Sequence, residues 1–251
     1  MPLMLLGLFV PAATSMTAVL TSKNTALKAD LQAKLVGAFR VKPLVVTMAV
    51  LSFFGIIAAS ILLSTLAGQS LGQFSFVEGF SFSIGGNSAL LTIVLAALLE
   101  ELGWRGYAED AIASCHSWWT ESVIFGILWA LWHLPLFFVE ETYHYNILQQ
   151  SPLFMVNFFV AIMPLGFIVT WVYVKNERSI FACMIFHFFV NLLQEKVAMT
   201  QITKCVETLV LFAVAAVVVT TNKDLFFEKR HIGRLLEDAY WKRGQMANEQ
   251  G

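Results

Sequence analysis

The stretch TIVLAALLEELGWRGYAED, Thr92 to Asp110, sets two adjacent carboxylates and an arginine at the end of an unbroken apolar run. An ionisable side chain inside a membrane span costs about 2.5–3.5 kcal/mol on insertion scales, so such groups face a bundle interior and mark functional sites. The rest of the chain is of the same kind. Of its 251 residues 58% are hydrophobic and 13% charged, and mean hydropathy is +0.71. That is too much apolar surface for a water-soluble domain and predicts an all-α, polytopic transmembrane helix bundle. A net charge of -1, with no long basic run and no glycine-rich phosphate loop, leaves no nucleic-acid partner to expect. Cys115, Cys183 and Cys205 are scattered, mostly in apolar segments, and read as small buried side chains rather than a disulfide framework.

A helix needs about 20 apolar residues to cross the hydrocarbon core. Qualifying or nearly qualifying segments run from about Leu3 to Thr21, Pro43 to Ala67, Ser88 to Ala113, Glu121 to Val139, Pro152 to Val174, Ser179 to Gln194 and Cys205 to Thr221, which makes about seven spans. Between the first two, Lys23, Lys28, Lys34, Arg40 and Lys42 outnumber Asp30, and the apolar residues among them suit an interfacial helix. The positive-inside rule makes that segment cytoplasmic. Alternation then puts Gly68 to Asn87 and Glu140 to Asn146 outside, and Lys175 to Arg178 and the basic tail inside. The tail, with Leu225, Ile232, Leu235, Leu236 and Ala239, reads as a solvated amphipathic segment grazing the membrane. The first apolar run lacks the basic opening of a secretory signal and is expected to be a retained span.

Three spans carry polar groups. Glu101 and Arg105, at i and i+4, pair and offset each other's desolvation. Glu100 is left over, with Trp104 at its own i+4 position as an apolar wall, and a poorly solvated carboxylate suits a general base. In FGILWALWHLPLFF, His133 follows Trp129 by one turn, and Pro135 opens the backbone beside it. In CMIFHFFVNLLQ, His187 and Asn191 share one helical face. At 1.5 Å per residue, His133 lies roughly 18 Å from Glu121, His187 roughly 12 Å from Ser179 and Glu100 roughly 20 Å from Ala113. The three then share one level opening toward the cytoplasm, provided the third span continues through Gly103 and Gly106. A single intramembrane histidine is as often a structural clamp as a site, and a Glu–Arg pair is more often a clamp than chemistry. Three separate clamps, however, need neither matched depth nor a spare Glu100. His116, His144 and His231 read as solvated residues with no role.

The order Glu100-Glu101-x-x-x-Arg105, then Trp129-x-x-x-His133, then His187-x-x-x-Asn191, resembles the three-motif signature of the CPBP intramembrane proteases, which comprise the type II CAAX prenyl endopeptidases and the Abi-type bacteriocin-processing or immunity proteins. EELGWRGY, LWALWHLPLFF and TWVYVKNERSIFACMIFH carry the likeness, over about Ser88 to Gln194. The resemblance implies a glutamate-dependent endopeptidase. Glu100 with His133 would activate the attacking water, His187 and Asn191 would stabilise the oxyanion, and Glu101 with Arg105 would brace the site. It further implies no metal or other cofactor, and as partners the lipid bilayer and a membrane-associated peptide or protein. In CAAX processing the scissile bond follows a prenylated cysteine, whose chain would enter between helices, with Trp104, Trp129 and Trp132 as candidate walls. Trp129 stands where the family most often has Phe, a change expected to alter pocket shape rather than chemistry. The chain begins where members commonly have already passed one helix, so a further span upstream is expected. The resulting division is 1–87 for N-terminal helices with the basic interfacial segment, 88–195 for the catalytic core, 196–221 for the last span and 222–251 for a cytoplasmic tail. The setting implied is a bacterial plasma membrane.

Other readings fit the same residues. Glu100, His133 and His187 make a carboxylate–imidazole set that would hold zinc with an open position for water, although HExxH is absent. No GxSxG supplies a serine nucleophile, and no aspartate lies at a span centre. A proton- or cation-coupled transporter would use the same groups as a relay, against which stands the lack of an inverted repeat. A non-catalytic immunity or scaffold protein would keep the site without using it.

Overall fold

The computed structural model describes residues 2–36, 41–79 and 89–228, and its regular elements there are helices. They are α1 (Pro2–Thr21), α2 (Thr25–Val36), α3 (Pro43–Ser64), α4 (Ala89–Gly103), α5 (Glu109–Ala113), α6 (Trp118–Trp132), α7 (Tyr143–Gln150), α8 (Pro152–Lys175), α9 (Ile180–Lys196), α10 (Gln201–Thr221) and α11 (Lys223–Phe227). Tight sequence punctuation sets the second half. Ser117, Thr142, Ser151, Ser179 and Thr200 each accept a backbone N–H from the first turn of the helix that follows, starting α6 through α10 in succession. A single antiparallel bridge, Phe76 to Val197, ties the segment after α3 to the α9–α10 turn.

Hydrophobicity here drives insertion rather than burial. Leu44, Leu66, Leu153 and Leu209 stand 70% or more exposed on the outside of the bundle, while Glu101, Arg105, Glu109 and Glu121 are fully buried. Such an outer face matches a lipid solvent and confirms the membrane bundle. Pro43–Ala67, Trp118–Phe138, Pro152–Lys175 and Gln201–Thr221 are long and apolar enough to span alone. The other expected spans depart from that standard for visible reasons. α9 is 17 residues long, about 26 Å, and the α4–α5 rod carries the buried charges. α8 packs on α6 and α10, α10 on α3, α1 on α4, and α4 on α9. Small residues allow the close approaches: a Cβ placed on Gly166 of α8 would lie 3.6 Å from Gly126 Cα of α6.

The rod continues through its glycines, as required, but by a π-turn from Trp104 to Ala108 rather than a plain α-helix. Such turns are frequent at functional sites. Side chains occupy the carbonyls around it: Ser15 Oγ donates to Gly103 O at 2.6 Å, Lys34 Nζ to Arg105 O and Gly106 O at 3.0 and 3.1 Å, and Tyr173 Oη to Arg105 O at 3.1 Å. Lys34 and Arg178 both pair with Asp30 and Asp110, joining α2, α5 and the α8–α9 turn. Spacing alone assigns Lys34 and Arg178 to loop or interfacial surface. The structure buries both, 6% and 5% exposed, because each meets two carboxylates in one packed corner. Residues beyond Glu228, including His231 and most of the amphipathic tail, lie outside the described part.

Gly103 sits hard against α1: a Cβ there would lie 2.4 Å from the Pro11 carbonyl carbon. Gly103→Ala should therefore lower thermal stability in lipid nanodiscs by about 1–3 kcal/mol, the usual cost of overpacking. An unchanged unfolding midpoint would show that α1 yields freely.

Candidate active site

A cavity of about 650 Å³ runs into the bundle and is lined by Glu100 from α4, Trp129, Trp132 and His133 from α6, and His187 and Asn191 from α9. The three separate motifs thus converge on one space. α6 stops at Trp132, with His133 as its C-cap at φ -78 and ψ -13, and a 3-10 turn containing Pro135 follows. The proline ends the α-helix there, so the imidazole sits at a helix terminus rather than on a continuous wall. His133 Nδ1 lies 2.7 Å from Trp129 O. A carbonyl only accepts, so Nδ1 carries the proton and Nε2 of the neutral ring is left as an acceptor.

Glu101 and Arg105 do pair, at 3.0 Å, and both are fully buried. The pair has two further members. Arg105 also meets Glu109 Oε1 at 2.8 Å, and His187 Nδ1 lies 2.7 Å from Glu101 Oε1. Arg105's guanidinium stacks over Phe125, 4.4 Å from the ring centroid. Glu101 therefore does more than brace its own helix: it fixes His187 on α9 with Nδ1 as donor. Glu109 was legible in the repeat Glu101, Arg105, Glu109 at four-residue spacing. Glu121, which accepts from Thr170 Oγ1 at 3.2 Å, and Glu207, which accepts from Gln194 Nε2 at 2.6 Å, are carboxylates within apolar helices and were open to the same argument.

Glu100, 5% exposed, takes no part in that ladder. Its Oε2 accepts the Trp129 indole N–H at 3.0 Å. This corrects the expectation for Trp129, since a phenylalanine has no donor and the tryptophan touches the carboxylate as well as shaping the pocket. Trp132 lines the cavity, whereas Trp104 packs edge-on against Phe125 and Trp132 and is not among the lining residues. His144 also departs from expectation: it is 8% exposed, lies against His133, Phe137 and Phe158, and lines the same cavity. The short α7, started by Thr142, turns it inward. His116 is exposed, as expected.

The cavity reaches from Phe53 and Leu165 at mid-bundle to Tyr143, Gln201 and Lys204 at the end where α7 and the first turn of α10 lie. α10 runs from there to Thr221. Among the described residues, no three His, Cys, Asp or Glu side chains converge as ligands for a metal ion.

A carboxylate, two imidazoles and an amide around a cavity inside a helical membrane bundle suit an intramembrane hydrolase. The sequence model of the type II CAAX prenyl endopeptidase Rce1-like family matches residues 87–193. A protein of Methanococcus maripaludis named CAAX prenyl protease 2 is 45% identical over 229 residues, covering 91% of this chain and 84% of that protein. The chain belongs to the Rce1-like, type II CAAX prenyl endopeptidase family and is an integral membrane endopeptidase.

Burial, with His133 and Lys204 nearby, pushes His144 down to about 3. An unfolded chain binds that proton near the ordinary histidine value, about 6.5. Stability should then fall as pH drops from about 6.5 toward about 3, because only the unfolded state gains the proton. His144→Phe should flatten that limb of the unfolding midpoint against pH. An unaltered profile would place His144 in water.

Proposed function

We propose that the chain hydrolyses the peptide bond after a prenylated cysteine in a C-terminal CAAX segment, with Glu100 as the base. The observation that carries this reading is the sharing of one cavity by Glu100, His133, His187 and Asn191 while the adjacent Glu101 is taken up by Arg105 and His187. Trp129 holds Oε2 of Glu100, which leaves Oε1 to take a proton from water, and His133 Nε2 is a second acceptor for the same water. The hydroxide adds to the carbonyl carbon. The oxyanion that forms is met by the Asn191 amide N–H and by His187 Nε2–H. His187 donates from both nitrogens only as an imidazolium. The Glu101 carboxylate against Nδ1 favours that form of the ring. Collapse of the intermediate breaks the C–N bond, and the proton held by Glu100 passes to the leaving amine. Apolar walls from α6 and α8 suit the prenyl chain.

The test is cleavage of a quenched-fluorescent farnesylated CAAX peptide by protein in nanodiscs. Glu100→Gln should lower kcat by at least about 100-fold, the lower range for loss of a general base. Wild-type cleavage should survive prolonged chelation. Activity lost on chelation and restored by zinc would instead favour the zinc reading, and full activity in Glu100→Gln would remove the glutamate from the chemistry.

A further inference from the structure

At its outer end the cavity holds a lysine whose partners are neutral. Lys204, in the first turn of α10, places Nζ 3.2 Å from Tyr143 Oη and 4.5 Å from that ring's centroid. Tyr143 in turn donates to Gln201 Oε1 at 3.2 Å. Among the described residues no carboxylate lies within ion-pair distance of this ammonium. Glu207, three residues deeper on the same helix, feels the lysine's charge at longer range and accepts its hydrogen bond from Gln194. Beside the lysine, His144 is buried and its Nδ1 has no hydrogen-bond partner. A cation and an unsatisfied imidazole nitrogen facing an apolar-walled cavity are costly to maintain, and an incoming anion would satisfy both.

We propose that Lys204, with His144 beside it, binds the free carboxylate at the substrate's C-terminus, so that the enzyme selects a short tail ending in a charge. This deepens the reading above and rests on it. A C-terminal CAAX segment carries three residues after its cysteine, and three extended residues span about 10 Å. A run of neighbouring side chains in the cavity leads from the reacting groups to the lysine. The His133 and His144 rings are 5.7 Å apart, those of His144 and Tyr143 are 5.6 Å apart, and Lys204 Nζ is 4.5 Å from the Tyr143 centroid. A compact ammonium on a four-carbon stem also adapts to tails whose last residue varies. Residues within a polypeptide, or tails ending in an amide, offer no charge there.

The experiment compares kcat/KM for one farnesylated peptide made with a C-terminal acid and with a C-terminal amide, in wild type, Lys204→Gln, Lys204→Arg and Glu100→Gln, all in nanodiscs. Wild type should prefer the acid by about 10- to 100-fold, the range for a hydrogen bond to a charged group, and mainly through KM. Lys204→Gln should bring the acid-to-amide ratio near one, and Lys204→Arg should retain most of it. A wild-type enzyme that cleaves both peptides equally, or a preference that persists in Lys204→Gln, overturns the proposal. The wild-type ratio decides even if a variant fails to fold. Wild-type activity that is lost in Glu100→Gln supports the catalytic reading whatever the ratio, so the two claims fail separately.

Discussion

One arginine between two carboxylates organises the interior of this protein. Arg105 is fully buried, with Glu101 one turn before it and Glu109 one turn after, and Phe125 lies against its guanidinium face. An unpaired charge at this depth would be prohibitive, and removing one member of a buried pair typically costs about 3–5 kcal/mol. The ladder makes the polar interior tolerable and passes order outward. Glu101 uses its remaining capacity on His187, which sets the tautomer and direction of that ring from a different helix. Glu100, one residue away but about 100° around the helix, faces the cavity and is held through Trp129.

The backbone is shaped to the same end. A π-turn sits at Arg105, its carbonyls taken by Lys34 and Tyr173. Lys34 belongs to, and Tyr173 donates to Asp110 of, a second charge cluster, Asp30, Lys34, Asp110 and Arg178, which joins α2, α5 and the α8–α9 turn. The molecule thus pairs its charges tightly around α2, α5 and the α8–α9 turn, while Lys204, in the first turn of α10, hydrogen-bonds a neutral tyrosine.

Much of this was legible in the sequence. Apolar length and periodicity specify a helical membrane bundle, and the four-residue spacings of Glu101 with Arg105, Trp129 with His133 and His187 with Asn191 identify helix faces without coordinates. Pairings between distant segments were not legible, since nothing local joins Lys34 to Asp110 or His187 to Glu101. His144 was misplaced because its neighbours in sequence are polar, while the fold turns α7 inward over Phe158. Trp129 was undervalued because bulk is readable from sequence and a hydrogen bond to another helix is not.

The division of labour between neighbouring glutamates is tested most directly by measuring the thermal unfolding midpoint of Glu100→Gln and Glu101→Gln side by side in the same lipid. The account predicts that Glu101→Gln, which leaves Arg105 and His187 short of charge, falls well below wild type, while Glu100→Gln, which keeps an acceptor for the Trp129 N–H, stays close to it. Equal losses, or a larger loss for Glu100→Gln, would contradict it.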